Sequence, residues 1–121
     1  MKICDYTDVE IQRVEEKGAR DVSIRLVISK DDGAENFHMR VFEVQPGGHT
    51  PFHQHVWEHE VFILDGETQV MSENGKRSAP AGSVVFVRPG EQHQFRNESD
   101  AVARFICVVP KIVPKIVPKA K

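Results

Sequence analysis

Hydrophobic and polar residues alternate along this chain in short runs broken by glycine and proline, and no segment holds a helical period over three turns. Val22 to Ile28 alternates in part and is rich in β-branched residues, which predicts a strand. Asp31 to Asn36 reads as a turn, Phe37 to Val44 as the next strand, and Pro46-Gly47-Gly48 as its end. Two strands are predicted around a group of histidines, His53 to Trp57 and His59 to Leu64, the second closed by Asp65-Gly66. Glu67 to Met71 continues as a strand, and Asn74-Gly75 marks a hairpin into the run that follows. Ser83 to Val87 comes after the turn Pro80-Ala81-Gly82, and Pro89-Gly90 turns the chain again before His93, Phe95 and a last strand from Ala101 to Val109. Many short strands at this spacing predict an all-β sandwich or barrel.

The same pattern divides the chain into an N-terminal arm over residues 1–18, a barrel domain over 19–110 and a Lys/Pro-rich tail over 111–121. The arm scatters Val9, Ile11 and Val14 among charges and predicts at most short strands. The tail repeats Pro-Lys-Ile-Val, and a proline at every fourth residue excludes both helix interior and central strand. It reads as an extended solvated segment, with docking of its Ile-Val pairs on a subunit surface as the alternative. In the last strand, Arg104 should face solvent, which turns Ala103, Phe105, Cys107 and Val109 the other way.

At 121 residues the chain suffices for one core and not two. Its net charge of −2 conceals four tail lysines, which leave residues 1–110 with 12 basic against 18 acidic side chains. That balance argues against a nucleic-acid surface on the barrel. No apolar stretch is long enough for a membrane span and no signal peptide is visible, so a cytoplasmic protein is expected. Cys4 and Cys107 are far apart without metal-ligand spacing, and free thiols are the expectation.

The chemistry concentrates between Gly47 and Gly66, where His49, His53, His55 and His59 occur, with His93 further on. On a strand, His53 and His55 leave from one face. Imidazoles held by neighbouring strands suit zinc, iron, nickel, copper and, less tightly, manganese. The spacing Gly47, His53, His55, His59, Gly66 resembles the first motif of the cupin superfamily, with His59 standing where glutamate is usual. Gly90, His93 and Asn97 are similar to the second motif, whose proline is displaced by one position to Pro89. The resemblance covers about residues 37–109 and implies a single-domain cupin, that is, a double-stranded β-helix or jelly-roll barrel.

It further implies a metal held by His53, His55, His59 and His93, as in small manganese-type cupins with four histidines, and a homodimer. Glu58 and Glu60 have the wrong parity for ligands on a regular strand, although a bulge would bring Glu60 in. His38 and His49 occupy no motif position and read as ordinary polar residues. Phe105, Cys107 and Thr50 are placed at the pocket, and Arg40, if inward, would meet a substrate carboxylate. Trp57 reads as packing at the barrel edge rather than as a substrate platform.

Four neutral ligands on a six-coordinate ion leave two positions for a small oxygen-donor substrate together with dioxygen or peroxide. An oxidoreductase of the dioxygenase or peroxide-dependent type is therefore the leading expectation. A non-catalytic small-molecule-binding barrel is one alternative. A Lewis-acid isomerase or decarboxylase is another, weakened because no inward carboxylate base is evident in the sequence.

Overall fold

The computed structural model of the chain describes residues 1–111. Nine antiparallel strands follow one another: β1 (Gln12–Arg13), β2 (Arg20–Ile28), β3 (Phe37–His49), β4 (His59–Asp65), β5 (Glu67–Ser72), β6 (Gly75–Pro80), β7 (Val84–Val87), β8 (Gln94–Arg96) and β9 (Ala103–Pro110). Two single-turn 3-10 helices, Tyr6–Asp8 and Lys30–Asp32, are the helical elements among the described residues. None is long and apolar enough to cross a membrane. The expectation of an extended or docked tail falls on residues 112–121, outside the described residues.

The strands hydrogen-bond in the order β6-β5-β8-β3-β9-β4-β7, with β2 on the free side of β3 and β1 on β2. The result is the jelly-roll barrel that the sequence motifs imply. The strands form one continuous sheet wrapped into two faces, and β3 runs through both. The first half of β3 pairs with β2 and β9, whereas its last residue, His49, pairs with Arg96 of β8.

The change of face happens at Pro46-Gly47-Gly48, so this segment bends the strand rather than ending it as expected. Between Val44 and His49 the register against β2 slips, opposite Asp21. Gly47 takes φ +83° there, and a Cβ on Gly48 would stand 2.7 Å from the Arg20 carbonyl oxygen. Glycine supplies both the left-handed turn and the close backbone approach, which is how a jelly-roll strand rounds a corner. Asn97, 1% exposed, locks the same corner. Its Nδ2 donates to the Val44 carbonyl at 2.9 Å and to that of Ala101 at 2.7 Å.

Parity holds where the alternation is clean. On β9, Ala103, Phe105, Cys107 and Val109 are buried and the residues between them are half-buried. On β4, His59, Val61 and Ile63 are buried, while Glu60 and Phe62 are exposed on the outer face. Glu60 is thereby removed from the ligand set. Phe105 is the largest fully buried side chain and stacks between Phe42 and Phe95, with ring centroids 5.0 and 4.7 Å away.

The arm is tied to this barrel. Lys2 pairs with Asp32 at 2.8 Å, and Arg25 donates to the Thr7 and Val9 carbonyls. Val14 donates its amide to the Val22 carbonyl, which carries the chain across the open end of the barrel.

The predicted strand from His53 to Trp57 does not form. His53 makes one isolated bridge, its amide donating to the His93 carbonyl at 3.1 Å and its carbonyl accepting the His93 amide at 2.9 Å. After that the chain bends at Val56–Trp57. A regular strand rising ~3.3 Å per residue would separate His53 and His59 by roughly 20 Å. Their convergence requires the bend.

Candidate metal centre

The chain brings His53 and His55 in on this loop, His59 on the first residue of β4, and His93 immediately before β8. The ligand atoms of His53, His55 and His93 lie within 4.8 Å of one another. His59 completes the ring of imidazoles. Its centroid is 4.7 Å from that of His93, and its Nε2 is 3.0 Å from Nδ1 of His55. His53 stands 4.8 Å from His93 on the other side. Three of the four expected ligands, His53, His55 and His93, form a metal-sized group, and His59 stands beside it.

The contacts behind the rings decide which nitrogens are free. His93 Nδ1 lies 2.9 Å from the Glu91 carbonyl and donates to it, which leaves the Nε2 lone pair available. His53 Nδ1 lies 3.2 Å from Oε2 of Glu16, a carboxylate partner of the kind that orients metal-binding imidazoles. His59 Nδ1 faces the Cys107 sulfur at 3.5 Å. His55 stacks on Trp57 at 4.3 Å with the planes 15° apart, which fixes its ring. A cluster of neutral imidazoles backed by a carbonyl, a carboxylate and a thiol fits a divalent transition metal.

Burial keeps His55, His59 and His93 neutral. Desolvation, with the neighbouring imidazoles, lowers His55 to about 4 and His59 to about 2, and burial lowers His93 as well. The hydrogen bond from His53 holds Glu16 below the usual carboxylate range, so it is ionised at neutral pH. Each depressed imidazole refuses a proton that the unfolded chain accepts below about pH 6.5. The metal-free protein should therefore keep its full stability above that value. It should lose stability progressively as the pH falls from about 6.5 towards about 4, where folded His55 begins to protonate. Urea unfolding midpoints at pH 7.5, 6, 5 and 4.5 measure this, and a midpoint unchanged across that window would contradict it.

The imidazoles floor a cavity of about 340 Å³ with mostly apolar walls. Phe105, Cys107 and Thr50 line it as expected, and so does Arg40, whose orientation the sequence leaves open. Arg40 Nη2 donates to the Cys107 sulfur at 3.0 Å, and burial pushes the Cys107 thiol above its ordinary range. Thr50 Oγ1 accepts the Phe95 amide at 2.9 Å and so fastens the histidine loop to β8. Both cysteines are free, Cys4 exposed and Cys107 buried.

Three residues change role. His38, read as an ordinary polar residue, lines the cavity with its Nε2 buried and unpartnered. Trp57, read as edge packing, lines it as well. Glu16 belongs to an arm whose pattern predicts little, yet it stands at the mouth beside His53. Alternation of His38, Arg40 and Phe42 along one strand was a signal for the first. For Glu16 the sequence holds none, since 37 residues separate it from its partner. His49 faces away from the site, towards Gln94 at 3.4 Å, as an ordinary polar residue would.

Comparison with known proteins places this geometry. The family described as the cupin domain matches residues 40–109. The curated 1-methylthio-D-xylulose 5-phosphate methylsulfurylase of Rhodospirillum rubrum is 34% identical over 71 residues, 59% of this chain and 46% of that protein. The chain thus spans about half the length of the curated relative it matches. Among solved structures, a polyketide cyclase from Streptomyces resistomycificus superposes with a TM-score of 0.90 at 35% identity, over 94% of this chain and 82% of that one. A cupin-2 domain protein from Rhodospirillum rubrum gives a TM-score of 0.82 at 26% identity, over 98% and 80% of the two chains.

Proposed function

Since this chain belongs to the cupin domain family, whose match takes in more than half of it, we propose that it is a metal-dependent enzyme of the cyclase or isomerase kind, acting on a carbonyl-bearing small molecule. The observation that carries this reading is Glu16, a carboxylate at the mouth of a cavity floored by converging imidazoles. The Lewis-acid class lacked an evident carboxylate base in the sequence, and Glu16 offers one from the mouth rather than from the inner wall. The two similar proteins that support it are named for a polyketide and for a ketose phosphate, each of which carries a ketone carbonyl.

His53, His55 and His93, with His59 as the fourth, would hold the ion, for which manganese is the sequence-based expectation and iron, zinc, nickel and copper the alternatives. Bound there, a divalent ion would supply Lewis-acid polarisation of a carbonyl oxygen and so acidify the adjacent C–H. Glu16 accepts that proton, and the electron pair of the broken C–H bond passes into the enolate. The enolate carbon then closes on a second carbonyl, whose oxygen takes the proton back from Glu16, or, in an α-hydroxy ketone, Glu16 returns the proton to the neighbouring carbon of the enediolate. His53 keeps Glu16 ionised and aimed at the mouth. Phe42, Phe105 and Trp57 exclude water from the reacting carbon.

The test is solvent deuterium exchange into 4-phenyl-2-butanone, in air and under argon. Metal-loaded protein should incorporate deuterium next to the carbonyl equally in both atmospheres, and Glu16→Gln should slow this on the order of 10²-fold. No exchange above buffer overturns the reading. Dioxygen or peroxide consumption would instead favour an oxidoreductase, a second reading supported by the Cys107 thiol beside His59 and by the two free positions that four ligands leave. Saturable binding without turnover would indicate a non-catalytic binding barrel.

Assembly as a homodimer belongs to the same proposal. The outer face of β4 and β7 exposes Phe62, Val84 and Phe86 on an apolar groove that an identical surface would cover.

A further inference from the structure

We infer that the inner wall of the cavity carries an anion-recognition subsite, Arg40 with His38, that takes the carboxylate of an apolar organic acid, an inference that rests on the carbonyl-substrate reading only for what the other end of the molecule does. β3 presents His38, Arg40 and Phe42 to the cavity, across from Val109, Cys107 and Phe105 of β9. On its other side Arg40 pairs with Leu26 and Phe42 with Ile24. The guanidinium therefore stands in an apolar surround, its carbon 5.2 Å from the centre of the Phe42 ring.

Among the described residues no carboxylate forms an ion pair with it. Glu16, the acidic residue of the lining, is engaged with His53. Arg40 Nε is buried without a hydrogen-bond partner, and Nη2 has only the Cys107 sulfur, a weak acceptor. His38 Nε2, two positions along the same strand, is buried and unpartnered as well.

Buried polar nitrogens without partners are rare because each costs the hydration it has lost. Here the two side chains that carry them, Arg40 and His38, both line the cavity floored by the imidazoles, and a small turn of each would present the closed-off nitrogen to a ligand. Nε and Nη2 form the side edge of the guanidinium, and a planar carboxylate meets that edge with two parallel N–H···O bonds. The weak thiol contact is the one it would replace. His38 Nε2 serves as a further donor to the same anion. A monoanion matches the single positive charge, whereas a phosphate monoester brings a second charge that this wall does not neutralise. The ligand class is thus an acid with an aromatic or otherwise apolar body, its carboxylate at Arg40 and its oxygen donors towards the histidines.

Trp57, the chain's single tryptophan, lines the cavity and reports binding through its fluorescence. The experiment titrates 2-naphthoate, 2-naphthamide and 2-naphthyl phosphate into the wild type, Arg40→Gln, Arg40→Lys and His38→Ala, each metal-loaded and metal-free. The expected result is saturable naphthoate binding in both metal states. Arg40→Gln should weaken it roughly 10- to 100-fold, Arg40→Lys less, and His38→Ala by a smaller factor. Naphthamide affinity should stay the same in every variant, which also shows that the cavity remains folded. Three results overturn the inference: no naphthoate binding to wild type, equal losses for naphthoate and naphthamide, or tighter Arg40-dependent binding of the phosphate. Arg40-dependent binding to metal-free protein, without deuterium exchange in the loaded enzyme, would sustain the subsite and reject the proposed reaction.

Discussion

His93→Ala should abolish metal retention while leaving the barrel folded. Elemental analysis of wild-type protein purified without added metal should find about one divalent ion per chain, and of the variant less than about a tenth. His93 is a sensitive position because, like His55, it faces the other three candidate ligands. Its ring lies 4.8 Å from His53, 5.7 Å from His55 and 4.7 Å from His59. Its backbone meanwhile keeps the bridge to His53 whatever the side chain. The far-ultraviolet spectrum should therefore not change. His59→Ala separates the two possible stoichiometries of ligands, since metal loss there requires the fourth imidazole and full retention indicates a three-histidine site. Wild-type protein that takes up no metal, even after reconstitution, would remove the metalloenzyme reading altogether.

Phe105→Ala should cost about 3–5 kcal/mol, the range for deleting a large buried aromatic side chain. Phe105 is 2% exposed and lies stacked between two rings, those of Phe42 and Phe95. Alanine there leaves a void between Phe42 and Phe95 that neither can fill, because both sit on strands whose register is fixed by pairing with neighbours. At roughly 4 °C per kcal/mol, the melting temperature should fall by about 12–20 °C. A drop under about 4 °C would mean that the cavity collapses and that the stack is not central. Phe105→Leu, which keeps most of the volume, should lose much less.

The legible parts of the sequence were those governed by a short period. Alternation on β9 and β4 is strict, so the inward set of Phe105 and Cys107 and the outward position of Glu60 follow from parity alone. Motif spacing likewise locates His53, His55, His59 and His93. What escaped is governed by contacts between distant segments. On β3, Val41 is buried on one face while His38, Arg40 and Phe42 line the cavity on the other. With both faces covered, apolar residues fall on both, and alternation cannot say which is inside. The glycines at 47 and 48 look like a terminator, and only the partner strands show that the chain continues through them into the second face. Glu16 reaches its place through the arm's attachment to β2, which depends on pairing and not on any local pattern.

The loop that brings in His53 and His55 has one backbone bridge, a single further bond from the Gly90 amide to the His55 carbonyl and no ladder, whereas His59 begins a strand and His93 directly precedes one. A bound ion would accordingly act as a cross-link, tying a loosely paired segment to chain up to forty residues away. Like a disulfide, such a tie restricts the unfolded chain more strongly the longer the loop it closes. The lining of the cavity and the durability of the loop are then one property. Cells short of the ion would hold a barrel that is intact in its sheets yet open to proteolytic cutting between Pro51 and Glu58, and turnover of the protein would follow supply of the metal.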